Sequence, residues 1–216
     1  MLSQMRTELA NRLVLQQQDH VVALQLLAEN FLAPCLRTDG ADARASLGDV
    51  PRSALRSIFG NVPALLREQR ALLAATSDAI DVLGRRGGRL LAPRLRTVLA
   101  LVRTYAANLA RATAALERAR ADSRFDRFLE RTAVQAGQPL DELLLEPLRQ
   151  LFRYRALLYA WLKCSQPHHS DRSALLDAYR QVNRTLDFVH ERNAEQSFFA
   201  VGKEGGLTEM ANSNEG

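Results

Sequence analysis

The chain reads as an all-α protein, and three observations lead there. Of its 216 residues, 47% are hydrophobic, and leucine and alanine carry that share while valine, isoleucine and tyrosine are few, a bias toward helix and away from strand. The stretch from Gln138 to Ser165 repeats apolar residues at helical spacing: Leu140, Leu144, Leu151, Leu158 and Leu162, joined by Leu143, Leu148, Tyr154 and Trp161, mark one broad face to be buried. Elsewhere Gly, Pro and Asp punctuate the chain into segments of helical length.

Taken in order, a first helix is expected over about residues 4–35, with Leu9, Leu13, Leu24, Leu27 and Phe31 on one face and Pro34 at its end. Gln17 and His20 fall in the same stripe and need polar partners, either neighbouring helices or a contact surface. Residues 37–50 hold two glycines and three aspartates without apolar rhythm, a surface loop. Pro51, at a permitted first-turn position, opens the next segment. The Gly60–Asn61 pair breaks it, and Leu65, Leu66, Leu72, Leu73, Ile80 and Leu83 resume the spacing. Residues 84–89, GRRGGR, are read as a plain connection; they lack the Lys-Ser/Thr ending of a nucleotide-binding loop. A long segment follows from Leu90 to about Ala121, then a short helix capped by Asp122 or Ser123 and closed by Gly137. The helix of residues 138–165 comes next. Asp171 caps the last one, which carries Leu175, Leu176, Tyr179, Val182, Leu186 and Val189.

Charge and motif content exclude several function classes. The net charge of +5 comes from scattered arginines, clustered in sequence only at Arg85, Arg86, Arg89, Arg94 and Arg96. This balance is compatible with acidic lipid head groups or nucleic acid without naming either. Cys35 and Cys164 are expected as reduced thiols of a cytoplasmic protein. The N-terminus lacks a signal-peptide core, and no apolar run is long enough for a span. The adjacent His168 and His169 have no spaced ligand set beside them, so no metal and no cofactor are expected. No nucleophile elbow or dinucleotide fingerprint occurs. Any catalysis here must work through binding.

On the face opposite the leucines, the central helix steps through Glu142, Glu146, Arg149, Arg153, Ala156, Ala160 and Lys163. Charges give way to two alanines and a lysine, a stripe that lets another protein's backbone approach or serves as an ordinary solvated face. Within this helix LLLEPLRQLFRYRALLYAWLKCS resembles the third conserved region of the Dbl homology domain, the catalytic domain of Rho-family guanine nucleotide exchange factors. Pro147, Leu148, Arg153, Tyr154, Leu157, Leu158, Leu162 and Lys163 carry the match, while the Gln-Arg pair reads Arg149–Gln150 and the proline after Tyr154 is Arg155. The opening helix is similar to the first conserved region through Val21, Leu24, Leu27, Phe31 and Pro34, with His20 in place of the usual tyrosine. IFGNVPALLREQRALL, from Ile58 to Leu73, matches the run before the second helix.

The resemblance implies an elongated helical bundle of about six main helices over residues 1–197, followed by a flexible tail at 198–216 that is too short for the pleckstrin homology domain that usually follows. It implies an exchange catalyst without covalent chemistry, acting on the nucleotide-free or GDP form of a Rho-family small GTPase, with no nucleic acid expected and recruitment to membrane or cytoskeleton by other means. The implied switch contacts are Lys163, Gln17 in place of the family's glutamate, and His190 in place of its asparagine. Around them the implied GTPase-binding set is His20, Arg149, Arg153, Ala156, Ala160, Leu186, Asp187 and Glu191. Because an amide forfeits charge-assisted strength, Gln17 also suits a weak or silent Dbl-like scaffold that binds a GTPase or another protein; replacing it by glutamate is expected to raise activity. A helical nucleic-acid-binding protein is the remaining alternative.

Overall fold

The computed structural model describes residues 2–37 and 48–193. The tail expected at 198–216 and most of the expected loop lie outside them. The first apolar stripe forms α1, Leu2–Gln25, which runs on through a wider π-type stretch, Leu26–Leu32, into one more turn, α2, Ala33–Arg37. The widening accommodates Pro34, which has no N–H to donate; just before it the Ala33 N–H reaches five residues back to the Ala28 carbonyl. Helix α3, Arg52–Phe59, starts after Pro51, which sits one position earlier than expected as an extended N-cap. Gly60 then turns the chain at φ 52°, a conformation open to glycine and costly for other residues. Asn61 Nδ2 donates to the Leu101 carbonyl at 2.9 Å, and Asn108 Nδ2 to the Ser57 carbonyl at 2.7 Å, pinning this turn to the long helix that follows.

Helix α4, Val62–Asp78, ends at Ala79, a break the apolar spacing does not show, and α5 runs over Ile80–Arg120. Asp122 caps α6, Ser123–Ala136, by accepting the Arg124 N–H at 2.9 Å, and Gly137 closes it at φ 70°, as expected. Helices α7, Leu140–Lys163, and α8, Arg172–Asn193, complete the chain. Six of these helices are long, and the described residues contain no strand. Helix α7 lies between α1 and α8 in one layer, antiparallel to both: Arg6 meets Ser165 while His20 meets Glu146, and Phe152 meets His190 while Tyr159 meets Tyr179. Behind this layer α5 packs on α1, α7 and α8, and carries α3 and α4 on its other flank. The 41 residues of α5, about 60 Å of helix, make the bundle long.

The expectation of a loop at 84–89 is corrected here. The segment is helical apart from one break at Arg86 (φ −127°, ψ 21°), and its glycines are needed for close packing. A Cβ on Gly87 would stand 2.5 Å from the Trp161 ring, and one on Gly88 2.5 Å from the Leu175 backbone nitrogen. In an unbroken helix the Gly84 carbonyl would pair with the Gly88 N–H and the Arg85 carbonyl with the Arg89 N–H. Instead, Arg6 of α1 donates to both carbonyls, at 2.8 and 3.4 Å. Asp171, before α8, accepts both N–H groups, at 2.9 and 3.0 Å. Arg6 and Asp171 then pair with each other at 3.2 Å, both nearly sealed from solvent. Burial pulls the Arg6 guanidinium down from its ordinary value, and the Asp171 charge opposes that pull.

Removing Asp171 leaves the buried Arg6 cation without its counter-charge and the Gly88 and Arg89 N–H groups without their acceptor. Asp171→Ala is expected to lower the unfolding free energy by about 3–5 kcal/mol, and Gly87→Ala by about 1–3 kcal/mol through overpacking against Trp161. Urea unfolding midpoints measure both.

Candidate functional site

The outer surface of α7 is the candidate site. Arg149, Phe152, Ala156, Tyr159 and Lys163 are exposed along it, and Arg153 and Ala160 are half-buried. The leucine face on the opposite side seals this helix against α5, so its ridge is held by the core rather than by loops. On the α8 side, Phe152 meets the His190 ring edge-on at 6.1 Å, with Asp187 and Glu191 exposed nearby on the same helix. On the α1 side, the Arg153 guanidinium bonds to the Glu146 carboxylate and to Gln150 Oε1 at 3.3 Å. Further along, the Lys163 ammonium lies 4.7 Å from the centre of the Tyr159 ring, which itself stacks obliquely on Tyr179 at 6.0 Å.

Several expected site residues lie elsewhere. Gln17 has no exposed surface: its Oε1 accepts the Thr76 hydroxyl at 2.6 Å, and it sits among Gln69, Gln150 and Tyr154 inside the bundle. His20 and Leu186 are buried at 1% and 2% exposure. Glu146, expected on the outer stripe, is turned inward at 8% exposure, between His20 and Arg153. Lys163 is exposed but stands eleven residues, about 16 Å of helix, from Phe152 and His190. The structure therefore brings Arg149, Arg153, Ala156, His190, Asp187 and Glu191 to one part of the surface, puts Lys163 at the far end of the same ridge, and keeps Gln17, His20 and Leu186 out of it. The aromatic members Phe152 and Tyr159 went unnoticed in the sequence, where they read as two more apolar residues; their places in the polar stripe were the available signal.

Glu146 links this surface to the interior. Burial pushes its carboxyl up, but the His20 ring at 3.7 Å and the bonded Arg153 guanidinium outweigh that, so the group lies below its ordinary value. Burial holds His20 well below 6.5, against a smaller upward pull from Glu146 at 3.7 Å. Both thiols are free and buried, and burial pushes Cys35 up to about 12. No group of three metal-ligating side chains converges among the described residues.

These environments set a pH dependence. The unfolded chain protonates His20 near 6.5, whereas the folded chain resists, so stability falls as the pH drops below 6.5. The Glu146 contribution is present above its ordinary 4.5 and is lost lower, as the pH falls through its folded value. Between pH 7.5 and 5.5 the urea midpoint should fall, and His20→Gln should remove part of that fall, the remainder including His169, also held low by burial and then by Arg6. Gln17→Glu, expected from sequence to raise activity, instead places a carboxylate in the interior and should cost about 3 kcal/mol of stability in the same assay.

Residues 13–190 match the RhoGEF domain family. Among curated proteins the chain is 26% identical over 203 residues to mouse Rho guanine nucleotide exchange factor 17, and 24% identical over 196 residues to human Rho guanine nucleotide exchange factor 4. These alignments cover 89% and 88% of this chain but only 10% and 27% of the relatives, so the chain spans a small part of their length. Among solved structures it is similar to the DH/PH fragment of PDZ-RhoGEF in complex with human RhoA, with a TM-score of 0.75 at 20% identity over 89% of this chain and 55% of that one. It is also similar to the DH domain of FARP2, with a TM-score of 0.73 at 15% identity over 92% and 94%. At such identities the likeness shows the fold alone. With the greater part of its length matched, this chain belongs to the RhoGEF domain family.

Proposed function

We propose that this chain catalyses guanine nucleotide exchange on a Rho-family small GTPase, using the α7 ridge with the adjoining edges of α1 and α8 as its docking surface. One observation carries this reading: the family match spans the three helices that form the surface, and α7 presents a rigid line of guanidinium, aromatic and small side chains there. A surface of this kind needs no nucleophile. If it binds the nucleotide-free GTPase better than the loaded one, linkage requires that it weaken nucleotide affinity by the same coupling free energy. The GTPase's switch segments are ordered by the bound phosphates and their magnesium ion, so a partner that holds the switches in another arrangement disturbs the ion and the nucleotide together. The magnesium belongs to the substrate GTPase.

Within the ridge, Arg153 is the side chain best prepared for a charged contact, because Glu146 and Gln150 hold its guanidinium in place before any partner arrives. Ala156 and Ala160 leave room for partner backbone, and Phe152 with His190 offers an apolar anchor with a polar tip. Lys163 adds charge at the far end. Gln17 is buried, so the docking surface proposed here does not draw on it. We place the protein in the cytoplasm, with recruitment to acidic membrane surfaces; no helix of the described residues is long and apolar enough to cross a bilayer.

Release of fluorescent GDP from a panel of Rho, Rac and related GTPases tests this, with RhoA first because the solved relatives include its complexes. Wild-type chain is expected to accelerate release from at least one of them. His190→Ala should lower that rate by about tenfold or more at unchanged thermal stability; Arg153→Ala should lower it as much with a loss of stability besides, because Glu146 loses its cation, and Lys163→Ala should lower it as well. Binding without accelerated release would favour a scaffold, and unaltered rates in all three variants would remove the ridge as the docking site.

A further inference from the structure

Helix α5 has its own exposed face. Gly87 and Tyr105 of α5 are its contacts with α7, against Trp161 and the Leu144 carbonyl. Arg96 is nine residues from each, two and a half turns, and so lies on the opposite side of the helix, away from the α7 ridge. Along that side Arg89, Arg96, Arg103, Arg111 and Arg118 recur at intervals of seven or eight residues, all exposed. Between them stand Pro93, Ala100, Ala107 and Ala114, also exposed and all small. The row is about 43 Å long, with an arginine every 10–12 Å or so.

Among the described residues this row lacks counter-charge. Arg96, Arg111 and Arg118 take part in no ion pair among the described residues. Glu117 is turned about 100° from Arg118 around the helix, and Asp81 lies before the break. Helix α3, packed on one flank, has no carboxylate. On the other flank α8 brings Asp177, whose Oδ2 accepts from Gln181 at 2.6 Å, and Phe188, whose ring is faced by both Arg103 and Arg192 at 5.6 Å.

We propose that this arginine face is a peripheral docking surface for a membrane bearing anionic head groups. A straight row on a convex helix touches a plane along its whole length, so the arginines engage together, and small residues between them let head groups approach. The row has no large apolar side chain to insert, so binding is by electrostatic adsorption and is steeply salt-dependent. Nucleic acid fits less well: single strands gain affinity by stacking bases on free rings, and the ring of Phe188 beside the row is already covered by guanidiniums. Docked in this way, the bundle turns its α7 ridge away from the bilayer. The inference deepens the acidic-lipid recruitment proposed above and does not depend on exchange activity.

The test is co-sedimentation of the purified chain with phosphatidylcholine vesicles with and without phosphatidylserine. The expected result is binding to the phosphatidylserine vesicles alone, at about 0.1 M salt and lost by about 0.5 M. Arg96→Glu, Arg111→Glu and Arg118→Glu in one chain should weaken it by about tenfold or more, leaving GDP release in vesicle-free solution as in the wild type. The corresponding Arg→Gln triple, with milder electrostatic change, should shift affinity in the same direction. Equal binding to neutral vesicles, unweakened binding by both folded triples, or displacement from the vesicles by stoichiometric duplex RNA or DNA would overturn the proposal. Vesicle binding and GDP release are separate readouts, so failure of one leaves the other standing.

Discussion

Four helices of this protein meet at the buried pair of Arg6 and Asp171, and the bundle's register depends on that meeting. The break at Arg86 opens two backbone hydrogen bonds of α5, and both halves of each are taken from outside, the carbonyls by an arginine of α1 and the N–H groups by an aspartate ahead of α8. The same arginine donates to Ser165, just past the end of α7, and faces the Trp161 ring at 5.9 Å. A buried ion pair contributes modest net stability, because desolvation offsets most of the attraction. Its effect is on specificity: any axial slip of α1 or α8 along α5 would strand charged groups and peptide groups without partners.

That register carries to the other end of the layer. With α1 and α7 antiparallel and locked at Arg6, His20 arrives opposite Glu146, and Glu146 in turn holds Arg153 on the outer ridge. The interior between α1, α4 and α7 is correspondingly polar: Gln17 accepts from Thr76 and Gln69 from Tyr154, with Gln150 beside them and the Nε2 groups of all three amides left without a protein partner among the described residues. The docking ridge is therefore held from within through Glu146 and Gln150, both of which accept from Arg153. A surface that must impose a new shape on a partner's loops gains from such support, since it does not yield first.

The two exposed faces of the bundle divide in character. The α7 ridge mixes cations, aromatic rings and alanines, the composition of a protein interface. The outer side of α5 carries a row of arginines and small residues, with Glu117 to one side, suited to a diffuse anionic surface. Their opposition follows from one geometrical fact: α5 lies behind the layer of α1, α7 and α8, so what it does not bury points away from the ridge.

By itself the sequence determined the helical class, most element limits, the cap at Asp122, the turn at Gly137 and the family, because these depend on local spacing, capping chemistry and motif order. It also marked Arg149, Arg153, Ala156 and Lys163 as one face of one helix. Whether Gln17 and His20 are contacts or core was not legible, since a polar residue in an apolar stripe has the same spacing either way; packing against Thr76 and Glu146 decided it. The arginines of α5 look scattered in sequence and become a line only when a single long helix carries them. The glycines of 84–89 read as a loop because glycine costs a free helix stability, and only the crossing of Trp161 and Leu175 shows why their missing side chains are required. Periodicity is a property of one segment, whereas burial and hydrogen-bond exchange between segments are properties of how they meet, and only the tertiary structure holds the latter.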